Sequence, residues 1–345
     1  MPIPSEISAK ARHLHDAATI VDGLVFMSDG DPQALRRANI AAINVTVSHM
    51  EASFESTCDE IAIWLERVRA PGSGWKLVDR AADVHAARAE GKVGLIMGWQ
   101  NMRVIEDKLH RIPMFRRLGV SVMQLTYNNR NFIGDGCLEP EDSGLSLLGR
   151  RVVPAMNEAG VAIDLSHVGE RTAMQAAELS NRPVLLTHAN ARSVVAMPRN
   201  KSDALMKAVA ATGGTVGASI YGPMCWDRDP AHPPSLADFM RHLEHIVSVV
   251  GVEHVSIGTD LPAVSDLRSV DSILEMTRTR FPENVGAYEQ AFGGGARERY
   301  LRECGSHADL VLVTAALLDR GWTEVQIGAI LSGNLLRALD RCWSV

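Results

Sequence analysis

The sequence predicts an α/β protein, a closed (β/α)8 barrel of the TIM type with a helical elaboration at its C-terminal end. Three observations predict it: eight short runs of aliphatic and β-branched residues, a stretch with helical spacing after each, and the near-continuous apolar character of the runs themselves. Apolar runs of that kind suit a parallel sheet buried on both faces. Eight strand–helix units in one chain then favour a closed ring over an open doubly wound sheet. A chain of 345 residues could make two average domains, yet a single barrel is routinely this long. The simplest reading is one domain over 1–345, with the barrel over about 15–260 and the added helices within about 306–342.

In order, the runs are 19–26 (TIVDGLVF), 40–47 (IAAINVTV), 93–99 (VGLIMGW), 120–127 (VSVMQLTY), 161–167 (VAIDLSH), 183–188 (PVLLTH), 214–221 (GTVGASIY) and 254–260 (HVSIGTD). Between them lie amphipathic patterns such as EIAIWLERV at 60–68 and FMRHLEHIV at 239–247. Beyond residue 260 the chain has an irregular stretch around 292–296 and helical patterns at about 306–319 and 323–342. Gly293, Gly294 and Gly295 have no strand before them and no Lys-Ser/Thr after them, so they read as a surface loop rather than a phosphate cradle.

Composition excludes several classes. With 46% hydrophobic and 22% charged residues and 28 Gly, the chain can bury a large core and is not disordered. The 35 basic and 41 acidic residues give a net charge of −6 without a Lys/Arg run, which argues against nucleic acid or an anionic membrane and for a small-molecule partner. No secretory signal opens the sequence and no apolar run approaches a membrane span. The five Cys are odd in number, widely spaced and without a CxxC, so neither a disulfide framework nor a zinc knuckle is expected, and the chain reads as cytoplasmic.

In such a barrel the active site lies at the C-terminal ends of the strands. The third run ends in Trp99-Gln100-Asn101, the fourth in Tyr127-Asn128-Asn129, the fifth in Asp164-Leu165-Ser166-His167, the sixth in Thr187-His188-Ala189-Asn190 and the eighth in Gly258-Thr259-Asp260. Five strands thus converge on one mouth. His167 and His188 end adjacent strands, close enough for two imidazoles to meet one ion, or to hydrogen-bond each other. A zinc site needs at least one further good donor, and Gln100 is a weak, neutral one. The first run offers only Leu24 and Phe26 where its neighbours offer polar groups.

These residues carry a resemblance. The chain is similar to the membrane (renal) dipeptidase family across most of its length: Asp22-Gly23, Gly144-Leu145-Ser146 with Gly149, Ile163-Asp164-Leu165-Ser166-His167-Val168, Thr187-His188-Ala189-Asn190, Pro198-Arg199-Asn200, Ile257-Gly258-Thr259-Asp260 and Gly333-Asn334-Leu335-Leu336, in matching order and spacing. The resemblance implies a (β/α)8 barrel that cleaves dipeptides, often with a D residue at the C-terminal side, using two zinc ions. It implies zinc ligation by His167 and His188, a substrate-carboxylate fork at Arg199, and an acid/base role for Asp260, whose bland alternative is a helix cap. It also exposes departures. The family's strand-1 motif Asp-Gly-His-x-Asp has its His and Asp replaced by Leu24 and Phe26, its bridging Glu falls on Gln100, and its substrate-contacting His on the fourth strand falls on Tyr127. Homodimerisation is common in the family.

Three readings follow. In the first, one zinc or other divalent ion stays on His167 and His188, with Gln100, Asp260 or water completing the shell, and an amide bond of a small carboxylate-bearing substrate is hydrolysed. In the second, no metal binds and Asp260, Tyr127 and the two His perform an elimination, isomerisation or decarboxylation, with Leu24 and Phe26 shaping an apolar pocket and Gln100 and Asn128 contacting substrate. In the third, the protein binds a carboxylate through Arg199 without turnover. Buried polar groups at one mouth cost stability unless they are used, which disfavours the third. Hydrolysis is placed ahead, with two-zinc dipeptidase activity weak or absent.

Overall fold

A computed structural model describes residues 7–229, 231–263 and 299–344. Its strands are β1 (Ile20–Ser28), β2 (Ile40–Thr46), β3 (Trp75–Leu77), β4 (Val93–Trp99), β5 (Val120–Gln124), β6 (Ala162–Asp164), β7 (Val184–Ala189), β8 (Val216–Ala218), β9 (Val255–Ile257) and β10 (Leu261–Ala263). They pair in parallel in the order β10-β1-β2-β4-β5-β6-β7-β8-β9. Residues 258–260 join β9 to β10 directly, so the strand that pairs with β8 continues into the one that pairs with β1, and the ring closes. Two backbone bonds mark this seam, Gly258 N–H to Ala218 O at 3.1 Å and Asp260 N–H to Leu24 O at 3.0 Å. The architecture is a (β/α)8 barrel.

Two features differ from the sequence reading. Trp75–Leu77 forms an additional short strand on β4. Since β2 occupies one edge of β4 throughout, β3 and β5 share the other, β3 at its start and β5 at its end. The barrel also reaches Ala263 rather than 260, because the last run breaks at Gly258 and resumes at Leu261. The glycine stretch 293–295 lies outside the described residues.

The apolar residues sort into two cores because successive strand side chains alternate sides. Leu95 and Met97 of β4 face outward to the helices with Ile43, Met123 and Ile163, whereas Ile96 faces the barrel interior with Val21, Ala42, Val122, Ala162 and Leu185. The interior set is capped from below by Leu335, Leu339, Cys342 and Trp343 of the last helix. This helix is pinned to the N-terminal ends of the strands: Trp343 Nε1–H donates to Ser121 O at 3.0 Å and Cys342 Sγ–H to Pro183 O at 3.2 Å. The expected helix at 323–342 is Glu324–Gly328, a π-helical turn at Ala329–Gly333, and Asn334–Trp343. The helix Leu236–Val250 begins with a capping box, Ser235 and Asp238 each accepting the other's backbone N–H. No helix of the described residues is long and apolar enough to cross a membrane.

Above the apolar floor the barrel is pinched. A Cβ on Gly258 would lie 1.8 Å from Thr187 O, and one on Gly217 would lie 2.1 Å from the same oxygen. Real carbon and oxygen atoms cannot approach so closely, and backbone cannot swing aside as a side chain can. Gly258→Ala is therefore expected to destabilise the protein by about 3 kcal/mol, the upper end of ordinary overpacking. Urea unfolding tests this, and a variant within about 0.5 kcal/mol of wild type would remove the close approach from the account.

Candidate active site

The mouth is built on a buried hydrogen-bond chain. Asp164, the last residue of β6, accepts from Ser166 N–H at 3.0 Å, Ser166 Oγ at 2.6 Å, Thr187 N–H at 3.0 Å and Thr187 Oγ1 at 2.7 Å. Burial pushes its carboxyl up, and these four donors oppose the shift. With its proton given to Asp164, Thr187 Oγ1 can only accept from His188, whose Nδ1 lies 2.8 Å away. His188 therefore carries its proton on Nδ1 and presents a bare Nε2 to the mouth.

His167 is held in a similar way from the other side. Its Nδ1 lies 2.7 Å from Asn128 Oδ1, an acceptor, which again puts the proton on Nδ1. Tyr127 stacks on the imidazole with ring centroids 4.2 Å apart and planes 25° from parallel. His167 stands three residues beyond the end of β6 and Tyr127 three beyond β5, so both occupy loops rather than the strand ends the sequence suggested. Both imidazoles are held well below their ordinary pKa, first by burial and then by the nearby positive charges of Arg199 and Lys201. They are neutral, and their Nε2 atoms face each other at 3.0 Å.

Two lone pairs so placed need an electrophile between them. Two nitrogens on one tetrahedral zinc, bonded at about 2.0–2.1 Å, sit about 3.3 Å apart, close to the spacing here. The pair thus fits as two donors to one divalent ion, with Asn128 and the Thr187–Asp164 relay as the partners that orient them. Two ions are another matter: among the described residues no group of three or more His, Cys, Asp or Glu side chains could hold a metal. Leu24 of β1 is buried yet belongs to neither large core, and Phe26 is half-buried. Gln100, 2% exposed, donates from Nε2 to Thr46 Oγ1 at 2.9 Å while its Oε1 has no partner.

Arg199 departs from the role of an open fork. Its side chain is 1% exposed and donates from one terminal nitrogen to Ser166 O and from the other to His188 O at 2.8 Å. Two of its five N–H groups are thereby committed to the backbone beside the two His. Lys201, which the sequence reading passed over, is equally buried and bonds Val168 O at 2.5 Å; burial lowers its ammonium to about 8. Together they give the mouth a positive field without reaching into it.

Asp260 closes the ring of functional groups. It has a left-handed backbone, φ 60°, a conformation Asp and Asn tolerate better than most residues. Though partly accessible, it is enclosed by protein that pushes its carboxyl up to about 7, burial outweighing Arg199. Beside it, Asp22 of β1 accepts from Thr259 N–H at 2.8 Å, from Thr259 Oγ1 and from His307 Nε2 at 2.9 Å, tying the barrel seam to the C-terminal helices. A cavity of about 630 Å³ is lined by Cys137, Leu138, Val194, Met197, Pro198 and Trp226 among others. On its wall, Cys137 N–H donates to the backbone carbonyl of His167 at 2.8 Å. The sequence reading passed over Lys201, the residue after Pro198-Arg199-Asn200, and saw Thr187 and Asp22 only as letters of motifs, without the hydrogen bonds they make.

A parallel barrel with two oriented imidazoles and a perturbed carboxyl gathered beyond the C-terminal ends of its strands has the layout of a barrel enzyme's mouth. The chain belongs to the membrane dipeptidase family, peptidase family M19, whose profile matches residues 32–278. Among solved structures, an amidohydrolase from Pseudomonas aeruginosa superposes with a TM-score of 0.85 at 28% identity, covering 97% of this chain and 99% of that one. A metallo peptidase from Rhodobacter sphaeroides, liganded with a phosphinate mimic of the dipeptide L-Ala-D-Ala, shares the fold with a TM-score of 0.76 at 19% identity, covering 94% and 99% of the two chains. Dipeptidase verJ of Clonostachys rogersoniana is 28% identical over 299 residues, 84% of this chain and 67% of that protein. Dipeptidase aclJ of Aspergillus oryzae is 26% identical over 264 residues, 75% of this chain and 54% of that protein. The chain spans only about half the length of some of the relatives it matches.

Proposed function

We propose that this protein hydrolyses the amide bond of a small carboxylate-bearing dipeptide or amino-acid derivative, with at most one divalent ion, zinc foremost, held by His167 and His188. The observation that carries this reading is the pair of bare Nε2 atoms 3.0 Å apart, each fixed by an acceptor behind its own Nδ1. An ion bound there would supply Lewis acidity toward the amide carbonyl and lower the pKa of water.

The chain's own groups do the rest. Asp260, with a carboxyl near neutrality, takes a proton from water and returns it to the leaving amine. Arg199 and Lys201 attract the substrate carboxylate through their field, because their hydrogen bonds to Ser166, His188 and Val168 carbonyls are already made. Leu24 and Phe26 keep the β1 side of the mouth dry. Activity of the two-zinc kind is expected to be weak, since Leu24, Phe26 and Gln100 provide no anionic ligand.

Elemental analysis of purified protein tests the reading: about one divalent ion per chain, lost in the His167→Ala/His188→Ala double variant. Two ions per chain would overturn the single-ion assignment. None, even after incubation with zinc, would mean that Asn128 is turned to offer Nδ2–H to His167. One imidazole would then donate to the other, leaving metal-free acid/base chemistry at Asp260 as the alternative.

A further inference from the structure

We propose that the wall of the barrel formed by β2, β4 and β5 binds a primary ammonium group, the free amino end of a substrate, through Asn44 Oδ1, Gln100 Oε1 and Gln124 Oε1. This rests on the reading of the protein as an amide hydrolase and names the end of the substrate that the imidazole side does not address.

The three side chains are 3%, 2% and 0% exposed, and each has an amide oxygen with no hydrogen-bond partner. Their strands are consecutive in the ring, and the residues share its inner side. Gln124 lies two positions beyond Val122, and Val122 packs in the interior with Ile96. Asn44 lies two beyond Ala42 of the same interior set, and its Oδ1 takes up room beside Gly98 that a Cβ there would contest, 2.5 Å away. Gln100 lies two beyond Gly98 and is linked to both neighbours, to β2 through Thr46 Oγ1 and to β5 through its own carbonyl, which accepts Gln124 Nε2–H at 2.6 Å.

The orientation of the amides is set by their nitrogens. Asn44 Nδ2 faces Gly23 O at 2.8 Å, and Gln124 Nε2 sits between Gln100 O and Thr126 O at 2.8 Å from the latter. Carbonyls accept only, so the NH₂ groups of Asn44 and Gln124 belong there and their oxygens are left without donors, while the Gln100 amide turns its Nε2 to the Thr46 hydroxyl. Buried acceptors of this kind call for donors. A divalent cation is a poor match, because none of the three carries a negative charge to offset it. A primary ammonium offers three N–H donors and one positive charge, and neutral amide oxygens accept such donors well. Arg199 and Lys201 stand on the His167–His188 side, so a substrate with an amino and a carboxylate end is drawn across the mouth in one direction.

The test uses the full chain and a non-hydrolysable ketomethylene isostere of Ala-Ala, with a free amine or an N-acetyl cap, titrated by calorimetry. Wild type is expected to bind the free amine at least ~10-fold more tightly, and Gln100→Leu and Gln124→Leu to reduce that preference below ~3-fold with binding of the capped compound unchanged. Equal affinity of capped and uncapped compounds in wild type, which needs no variant to fold, would overturn the proposal and leave these oxygens to ordered water. So would a preference that survives both substitutions. Hydrolysis of Ala-Ala itself is followed separately: its absence would sink the amide-hydrolase reading while the calorimetric preference still reports on the ammonium site.

Discussion

Asp260→Asn is expected to lower kcat by about 100-fold or more, the usual contribution of a general acid/base, while the protein folds normally because Asn tolerates the left-handed backbone at this position. In wild type the carboxyl must be ionised to accept a proton from water, so kcat/KM is expected to rise with pH and level off above about 7, where the folded carboxyl titrates. The Asn variant lacks that limb. Stability moves the opposite way. The folded carboxyl is raised above its unfolded value, so between about pH 4 and about pH 7 the native state binds more protons than the unfolded chain and stability falls as pH rises. Allowing for partial access to water, this amounts to about 2–4 kcal/mol over the window, and Asp260→Asn is expected to remove it. Activity within a factor of about three of wild type, or an unchanged stability slope, would take Asp260 out of the mechanism.

Asp22→Ala is expected to cost about 3–5 kcal/mol of stability, as for a buried charged group removed from its partners. The carboxylate accepts from Thr259 through both backbone and hydroxyl, from Leu24 N–H at 3.1 Å and from His307, so its loss strands several donors at the seam of the barrel. Chemical denaturation followed by circular dichroism measures the cost. A loss below about 1 kcal/mol would mean that water replaces the carboxylate and that the seam is held by backbone pairing alone.

The barrel was legible because eight buried parallel strands need eight apolar runs, and their polar ends made His167, His188, Asp260 and Gln100 the candidates. What could not be read is which side of each strand faces inward. In a sheet buried on both faces the residues do not alternate between polar and apolar, so no pattern marks Asn44 and Gln124 as part of a lining. The strand Trp75–Leu77 is three residues long and too short to show a period. Arg199 was recognised by its motif, but its burial against Ser166 and His188 carbonyls depends on how the loop after β7 folds back, which no local pattern encodes. Thr187 and Asp164 were visible as letters of a motif, and only the tautomers they impose make them part of the chemistry.

The last helix plugs the barrel from below, contacting Ser121 and Pro183 at the starts of β5 and β7. A chain emerging from the ribosome therefore forms its strands long before it acquires the floor that seals them. Until Leu335, Leu339 and Trp343 arrive, the interior residues Val21, Ile96 and Leu185 have an open, wettable underside. Such long-range closure raises the mean sequence separation of contacts, which slows folding, and apolar surface left open in the meantime favours aggregation. Damage to the final turns of this helix would then appear first as poor yield from the cell rather than as a change at the distant mouth.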